Sequence, residues 1–176
     1  MIEYHDLEWG LPVRADKKIF EFLVLESAQA GLSWRTILHK REGYRKCFAQ
    51  FDPKKVAQFT KRDVARLVKD ASIIRNRLKI EATINNAKRF LEVKKEFGSF
   101  SSYMWNFVDN KQIDGKRRNL KELPVMTEEA VIFAKDLKKR GFKFLGPTTI
   151  YAHMQAVGMV NDHVKTCFRY REVKKK

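Results

Sequence analysis

The chain has 176 residues and carries 37 Lys and Arg against 21 Asp and Glu, a formal net charge of +16. That length suits one domain, and 44% apolar with 12% aromatic residues excludes a disordered polybasic tail. A folded chain with this excess of positive charge repels itself, which points to a polyanionic partner, DNA or RNA ahead of an anionic membrane surface.

No run approaches the ~18 apolar residues of a membrane-spanning helix, and the amino terminus has no secretory core. Two cysteines, Cys47 and Cys167, build no disulfide framework. The expectation is a soluble cytoplasmic protein in reducing surroundings.

Helix signals then follow in chain order. Asp16 is placed to cap a helix over 17–30 that stops at Gly31, and Ser33 to cap the next, which carries Trp34, Ile37, Leu38, Tyr44 and Phe48. Asp52-Pro53 puts a cap before a first-turn proline, and Thr60 with Asp63 reads as a capping box. A long helix is expected over 73–97, with Ile73, Ile80, Ile84, Ala87 and Leu91 at helical spacing and Gly98 at its end. Ser99 starts a short helix through Trp105, and Thr127 starts another that ends at Gly141. The stretch 109–124 reads as a loop, strand signals are poor, and no internal repeat is present. The fold class is therefore all-α, one domain over 1–176.

Four groups of residues could carry chemistry. Glu26 falls on the apolar stripe of Ile19, Phe22 and Leu23, where an unpaired carboxylate is costly. Spacing alone favours a partner for it, and Arg35 or Arg77 could serve. Tyr4, Trp9 and Trp34 could stack on bases, although aromatics are more often core. His163 and Cys167, four residues apart on an expected helix, could offer an imidazole and a thiolate to one metal, with His5 a third donor. The segment from Lys138 through Gly141, Lys143, Gly146 and Thr148 reads as helix, glycine-bounded hairpin, helix. Its second helix start, flanked by Lys143 and Arg140, suits a phosphate. Further basic runs at Arg75, Arg77 and Lys79, and at Arg169 to Lys176, add to the positive surface, the last as a frayed terminus.

Three motifs in order, Tyr4-His5-Asp6-Leu7-Glu8-Trp9-Gly10, Leu25-Glu26-Ser27-Ala28-Gln29-Ala30-Gly31-Leu32-Ser33-Trp34 and Gly158-Met159-Val160-Asn161-Asp162-His163-Val164, strongly resemble the 3-methyladenine DNA glycosylase I family. Phe51-Asp52-Pro53 and Ile73-Ile74-Arg75-Asn76-Arg77 fill the middle, so the resemblance spans nearly the whole chain. It implies a helix-hairpin-helix bundle with the lesion pocket between helical halves. It also implies a monomer that excises 3-methyladenine from alkylated double-stranded DNA by hydrolysis of the N-glycosidic bond, releasing the free base.

Carried over, Glu26 contacts the damaged base, Trp34 stacks on it, and Tyr4 and Trp9 line the pocket. Gly141, Lys143, Gly146 and Thr148 grip the DNA backbone. His5, His163 and Cys167 match three ligands of a structural zinc. The family's fourth ligand, a cysteine, lies upstream of Tyr4 in a short amino-terminal segment that the sequence does not include, which leaves zinc occupancy open. Ser27-Ala28 stands where Gly-Gln is usual. Bifunctional relatives in the wider superfamily carry a Schiff-base lysine where Thr148 stands, and many a catalytic aspartate where Asn161 stands, so the resemblance implies a monofunctional enzyme. The rival expectation is a non-catalytic helix-hairpin-helix protein that binds damaged DNA without cutting it.

Overall fold

The computed structural model describes residues 1–175, and the all-α reading holds. In chain order the helices are α1 (Ile2–Leu7), α2 (Asp16–Gln29), α3 (Trp34–Cys47), α4 (Pro53–Val56), α5 (Lys61–Leu67), α6 (Arg77–Phe97), α7 (Phe100–Trp105), α8 (Glu128–Lys139), α9 (Pro147–Ala156) and α10 (Arg169–Glu172). Local chemistry sets most starts. Ser33, Asp52, Ser99 and Thr127 accept hydrogen bonds from first-turn amides of α3, α4, α7 and α8, and Thr60 with Asp63 forms the capping box of α5.

The centre is α2. Every residue from Ile19 to Ala28 is buried, so this helix has no polar face. It packs against α3, α6, α7 and α9, while α8 pairs with α9. Each fully buried side chain such as Phe20 or Leu25 contributes ~1.5–3 kcal/mol. That apolar surplus lets the helix carry one unpaired polar group, Glu26.

Several expectations need correction. Asp16 does not cap its own helix: Ala15 is the N-cap, and the Asp16 carboxylate instead accepts from the Ser101 amide at the start of α7 (3.0 Å) and from Lys94 Nζ (2.9 Å). The long helix starts at Arg77 because Asn76 caps it by accepting from the Lys79 amide, and Ile73 is a buried loop residue. The loop 109–124 is not wholly irregular. Strands β1 (Ile113–Asp114) and β2 (Val160–Asn161) form a parallel pair in the register Ile113 to Val160 and Asp114 to Asn161. The carboxyl-terminal stretch does not fray up to residue 175: Lys174 Nζ pairs with Asp114, and Arg169 is buried against Glu172. Lys176 lies outside the described residues.

Candidate active site

Three consecutive elements meet around one cavity. Tyr4 comes from α1, Glu26 from the last turn of α2, and Trp34 opens α3. The Tyr4 and Trp34 rings lie 5.5 Å apart at 56°, and Tyr4 also leans on Phe22 at 6.3 Å. With Trp9, Gln29, Gln155 and others they enclose about 370 Å³, within the size range of small-ligand pockets.

Glu26 lines this cavity and also a smaller one of about 210 Å³ shared with Gly31, Leu32 and Thr148. The side chain is 4% exposed, and burial alone drives its carboxyl up to about 8. Nothing offsets that burial among the described residues. The expected partner is absent: Arg35 is exposed, and Arg77 sits 3.6 Å from Glu81. Opposite Glu26, burial and then the Glu26 charge hold the Tyr4 phenol far above its ordinary range. The Trp34 Nε1 is buried with no hydrogen-bond partner.

Spacing on the apolar stripe did not decide this outcome, because α2 is buried on all sides. Lys79, expected on a basic surface run, is also spent internally. Its buried Nζ donates to the carbonyls of Ala28 (2.9 Å) and Ala30 (2.6 Å), pinning the end of α2 just beyond Glu26.

Among the residues lining the cavity, three possible metal donors converge. Cys167 Sγ is 3.7 Å from His5 Nε2 and 3.8 Å from His163 Nδ1, and the donor atoms all lie within 4.8 Å of one another. His163 and Cys167 sit on a turn rather than the expected helix, and the turn still brings them together. The outer ring nitrogens are engaged. His163 Nε2 donates to the Trp9 carbonyl (3.1 Å) and His5 Nδ1 to Asp6 (2.7 Å), which leaves both inner lone pairs facing the thiol. Burial pushes His163 down to about 4, so it is neutral, as a ligand must be. A tetrahedral zinc with these donors needs N to S separations of ~3.5 Å, so the residues fit the ion.

Trp9 braces this cluster: its ring stacks on His5 and meets His163 edge-on at 4.5 Å. Gly10 has φ +81°, and a Cβ there would lie 2.9 Å from His163 Nε2. Two neighbours were not foreseen as site residues. Asp162 lines the cavity but is fully engaged by Tyr151, Gln155 and Arg117, so it latches the loop around Arg117 to α9. Asn161 is fully buried, holding the Tyr170 carbonyl and the His163 amide.

The turn between α8 and α9 presents Gly141 at φ +84°, and Phe144 at φ +58° with its ring exposed. Asn85 and Asn86 of α6 clamp it through the Gly141 carbonyl and both backbone groups of Lys143 (all 2.8 Å). Gly146 precedes α9 with open space where a Cβ would stand, and no side chain caps that helix. Lys143 and Thr148 are exposed here, whereas Arg140 is held by Asp136 and Glu96 and is not free for a phosphate.

The comparisons agree with this geometry. A family model described as methyladenine glycosylase matches residues 1–170. The DNA-3-methyladenine glycosylase 1 of Escherichia coli is 50% identical over 169 residues, covering 96% of this chain and 90% of that protein. A crystal structure of 3-methyladenine DNA glycosylase I superposes with a TM-score of 0.93 at 48% identity, over 95% of this chain and 92% of that one. The enzyme from Staphylococcus aureus, whose structural basis of 3-methyladenine recognition is described, gives 0.93 at 41% identity, over 95% and 89%. No described helix is long and apolar enough to cross a membrane. With a buried, unpaired carboxyl lining the same cavity as two packed aromatic rings, this chain, matched almost end to end, belongs to the methyladenine glycosylase family.

Proposed function

We propose that the chain is a monofunctional DNA N-glycosylase that hydrolyses the N-glycosidic bond of 3-methyladenine in alkylated DNA. The observation that carries this reading is Glu26, a carboxyl with no internal partner, in a cavity walled by Tyr4 and Trp34. N3-methylation gives adenine a positive charge and weakens its bond to the sugar, so the enzyme must find, extrude and hold the base more than protonate it. Extrusion costs a few kcal/mol and is cheapest at a damaged base. Stacking a cationic base on Trp34 in a dry pocket contributes ~2 kcal/mol.

With the pocket empty, Glu26 holds a proton near neutral pH. Arrival of the cationic base draws the carboxyl back toward its ordinary value, its proton is released to solvent, and the carboxylate then accepts from the base's amino edge. The bond from C1′ to N9 breaks with its electron pair on the base, which leaves as neutral 3-methyladenine. Water adds to C1′ and loses a proton, giving an abasic site. No lysine lines the cavity among the described residues, and Thr148 and Asn161 supply neither amine nor carboxylate, which supports hydrolysis without strand cleavage.

The hairpin, with Lys143, Gly141 and the uncapped α9 amides near Gly146 and Thr148, is the proposed grip on the DNA backbone. Trp9 is the proposed link between the base pocket and a structural zinc on His5, His163 and Cys167. His5, next to Tyr4 on α1, would tie that segment to His163 and Cys167 if the ion were bound. Chromatography of free bases released from methylated DNA tests the reading. Wild-type protein should free 3-methyladenine and Glu26→Gln should nearly abolish release; tight lesion binding without any free base would make the chain a binder of damaged DNA instead.

A further inference from the structure

Acids are scarce on this chain, yet two of them converge on one arginine. Arg41 forks onto Glu8, Nη1 to Oε1 and Nη2 to Oε2 at 2.7 Å each, while its Nε donates to Glu21 Oε1 at 2.7 Å. Lys18 bridges the same carboxylates at 3.0 and 3.2 Å, and Arg45 reaches Glu21 at 3.0 Å. The Arg41 and Glu21 side chains are only 14% and 7% exposed, so water screens them little.

The attachment points are specific. Glu8 caps the end of α1, four residues beyond Tyr4; Glu21 lies five residues before Glu26 on α2; Arg41 lies two turns along α3 from Trp34. One guanidinium therefore ties together the three elements that supply the pocket's three defining side chains. Of these, α1 has six residues, too few to be stable without tertiary anchors. Its other contacts include the packing of Tyr4 on Phe22 and Trp34 and the approach of His5 to Cys167. Burial pushes Glu8 up, but the hydrogen bonds from Arg41 and Lys18 outweigh it and bring the carboxyl to about 2. The fork thus stays ionised at any pH at which the protein works.

We propose that Arg41 is a positioning residue for base excision, registering Tyr4 against Trp34 and Glu26 through its fork to Glu8. This rests on the reading of the cavity as the base pocket. Lysine, a point charge, cannot reproduce a two-pronged grip, so Arg41→Lys should keep the charge and lose the register. Glu8→Gln spares the contact to Glu21 and so preserves the α2–α3 joint.

The test is single-turnover release of 3-methyladenine from methylated DNA, with duplex affinity and thermal unfolding measured on the same preparations. Both variants should release base at least tenfold more slowly, with duplex affinity within threefold of wild type. In a Tyr4→Ala background, Glu8→Gln should slow release by less than a further threefold, because its effect acts through Tyr4. Folded Glu8→Gln that excises at the wild-type rate overturns the assignment, as does a penalty undiminished by Tyr4→Ala. Wild-type protein that frees no base overturns the pocket reading itself, and this proposal with it.

Discussion

Replacing Glu26 with glutamine should make the protein more stable while removing its activity. The carboxyl sits at about 8 in the folded chain against an ordinary 4.5. Between those values the native state keeps a proton that the unfolded state has released. Native protein therefore binds more protons, and stability falls as pH rises through that window by ~1.4 kcal/mol per pH unit. At pH 7 the accumulated penalty is about 3 kcal/mol, and at pH 5 it is under about 1 kcal/mol. Glutamine never ionises, and its unpaired amide resembles the protonated acid in cost. Glu26→Gln should thus raise the unfolding free energy at pH 7 by about 2–3 kcal/mol, or roughly 4–10 °C in Tm for a chain of this size. Base release should fall by ~10²-fold or more. Denaturant and thermal unfolding of both proteins at pH 5, 6, 7 and 8 would measure this. A stability difference that stays flat with pH would refute the reasoning, because it would mean that Glu26 is paired.

Four further outcomes follow from the same geometry. The kcat/KM for base release should climb through neutral pH and level off above about 8, reporting the carboxyl of the free enzyme, with the climb absent in Glu26→Gln. Lys143→Ala should weaken binding to any duplex, lesion or not, and lower the slope of log affinity against log salt by ~1 in a titration series. If the proposed zinc is bound, elemental analysis of dialysed protein should find it in the wild-type chain and not in Cys167→Ser, because a hydroxyl is a poor replacement for a thiolate; a metal-free wild type would refute the zinc reading. His153 is fully buried with both ring nitrogens unpartnered, and burial pushes it down to about 3. The unfolded chain takes up that proton below its ordinary 6.5 and the native chain does not, so this residue destabilises the fold progressively as pH falls from about 6.5 toward 3. In His153→Leu, acid unfolding monitored by circular dichroism should shift to lower pH.

Helix starts were legible at Ser33, Asp52, Thr60, Ser99 and Thr127, where the cap lies within three residues of its target, but the equally local cap Asn76 was masked by the apolar Ile73-Ile74 just before it. Asp16 misled because its carboxylate serves a helix start 85 residues downstream, a partner no local pattern can announce. The β1–β2 pair escaped notice for the same reason: two residues per strand leave no alternation to read, and the register is set by the chain's return 47 residues later. The motif resemblance brought His5, His163 and Cys167 together where spacing alone could not, and it did so despite the wrong expectation of a helix.

The charge count was legible, but its distribution was not. Lys79, Arg41, Arg140 and Arg117, all part of the positive excess, are turned inward onto carbonyls or carboxylates. Lys79, Arg41 and Arg117 brace elements that carry cavity residues, and Arg140 joins α8 to the end of α6, instead of meeting a polyanion. Their partners Glu8, Glu21, Asp136 and Asp162 each receive at least two hydrogen bonds. Against that background Glu26 is an outlier, since a chain with so many cations could have paired it and its burial opposes folding at neutral pH. A carboxyl left so placed gains its counter-charge when something positively charged enters from outside, and the aromatic faces of Tyr4 and Trp34 beside it suit a flat cation such as an alkylated purine.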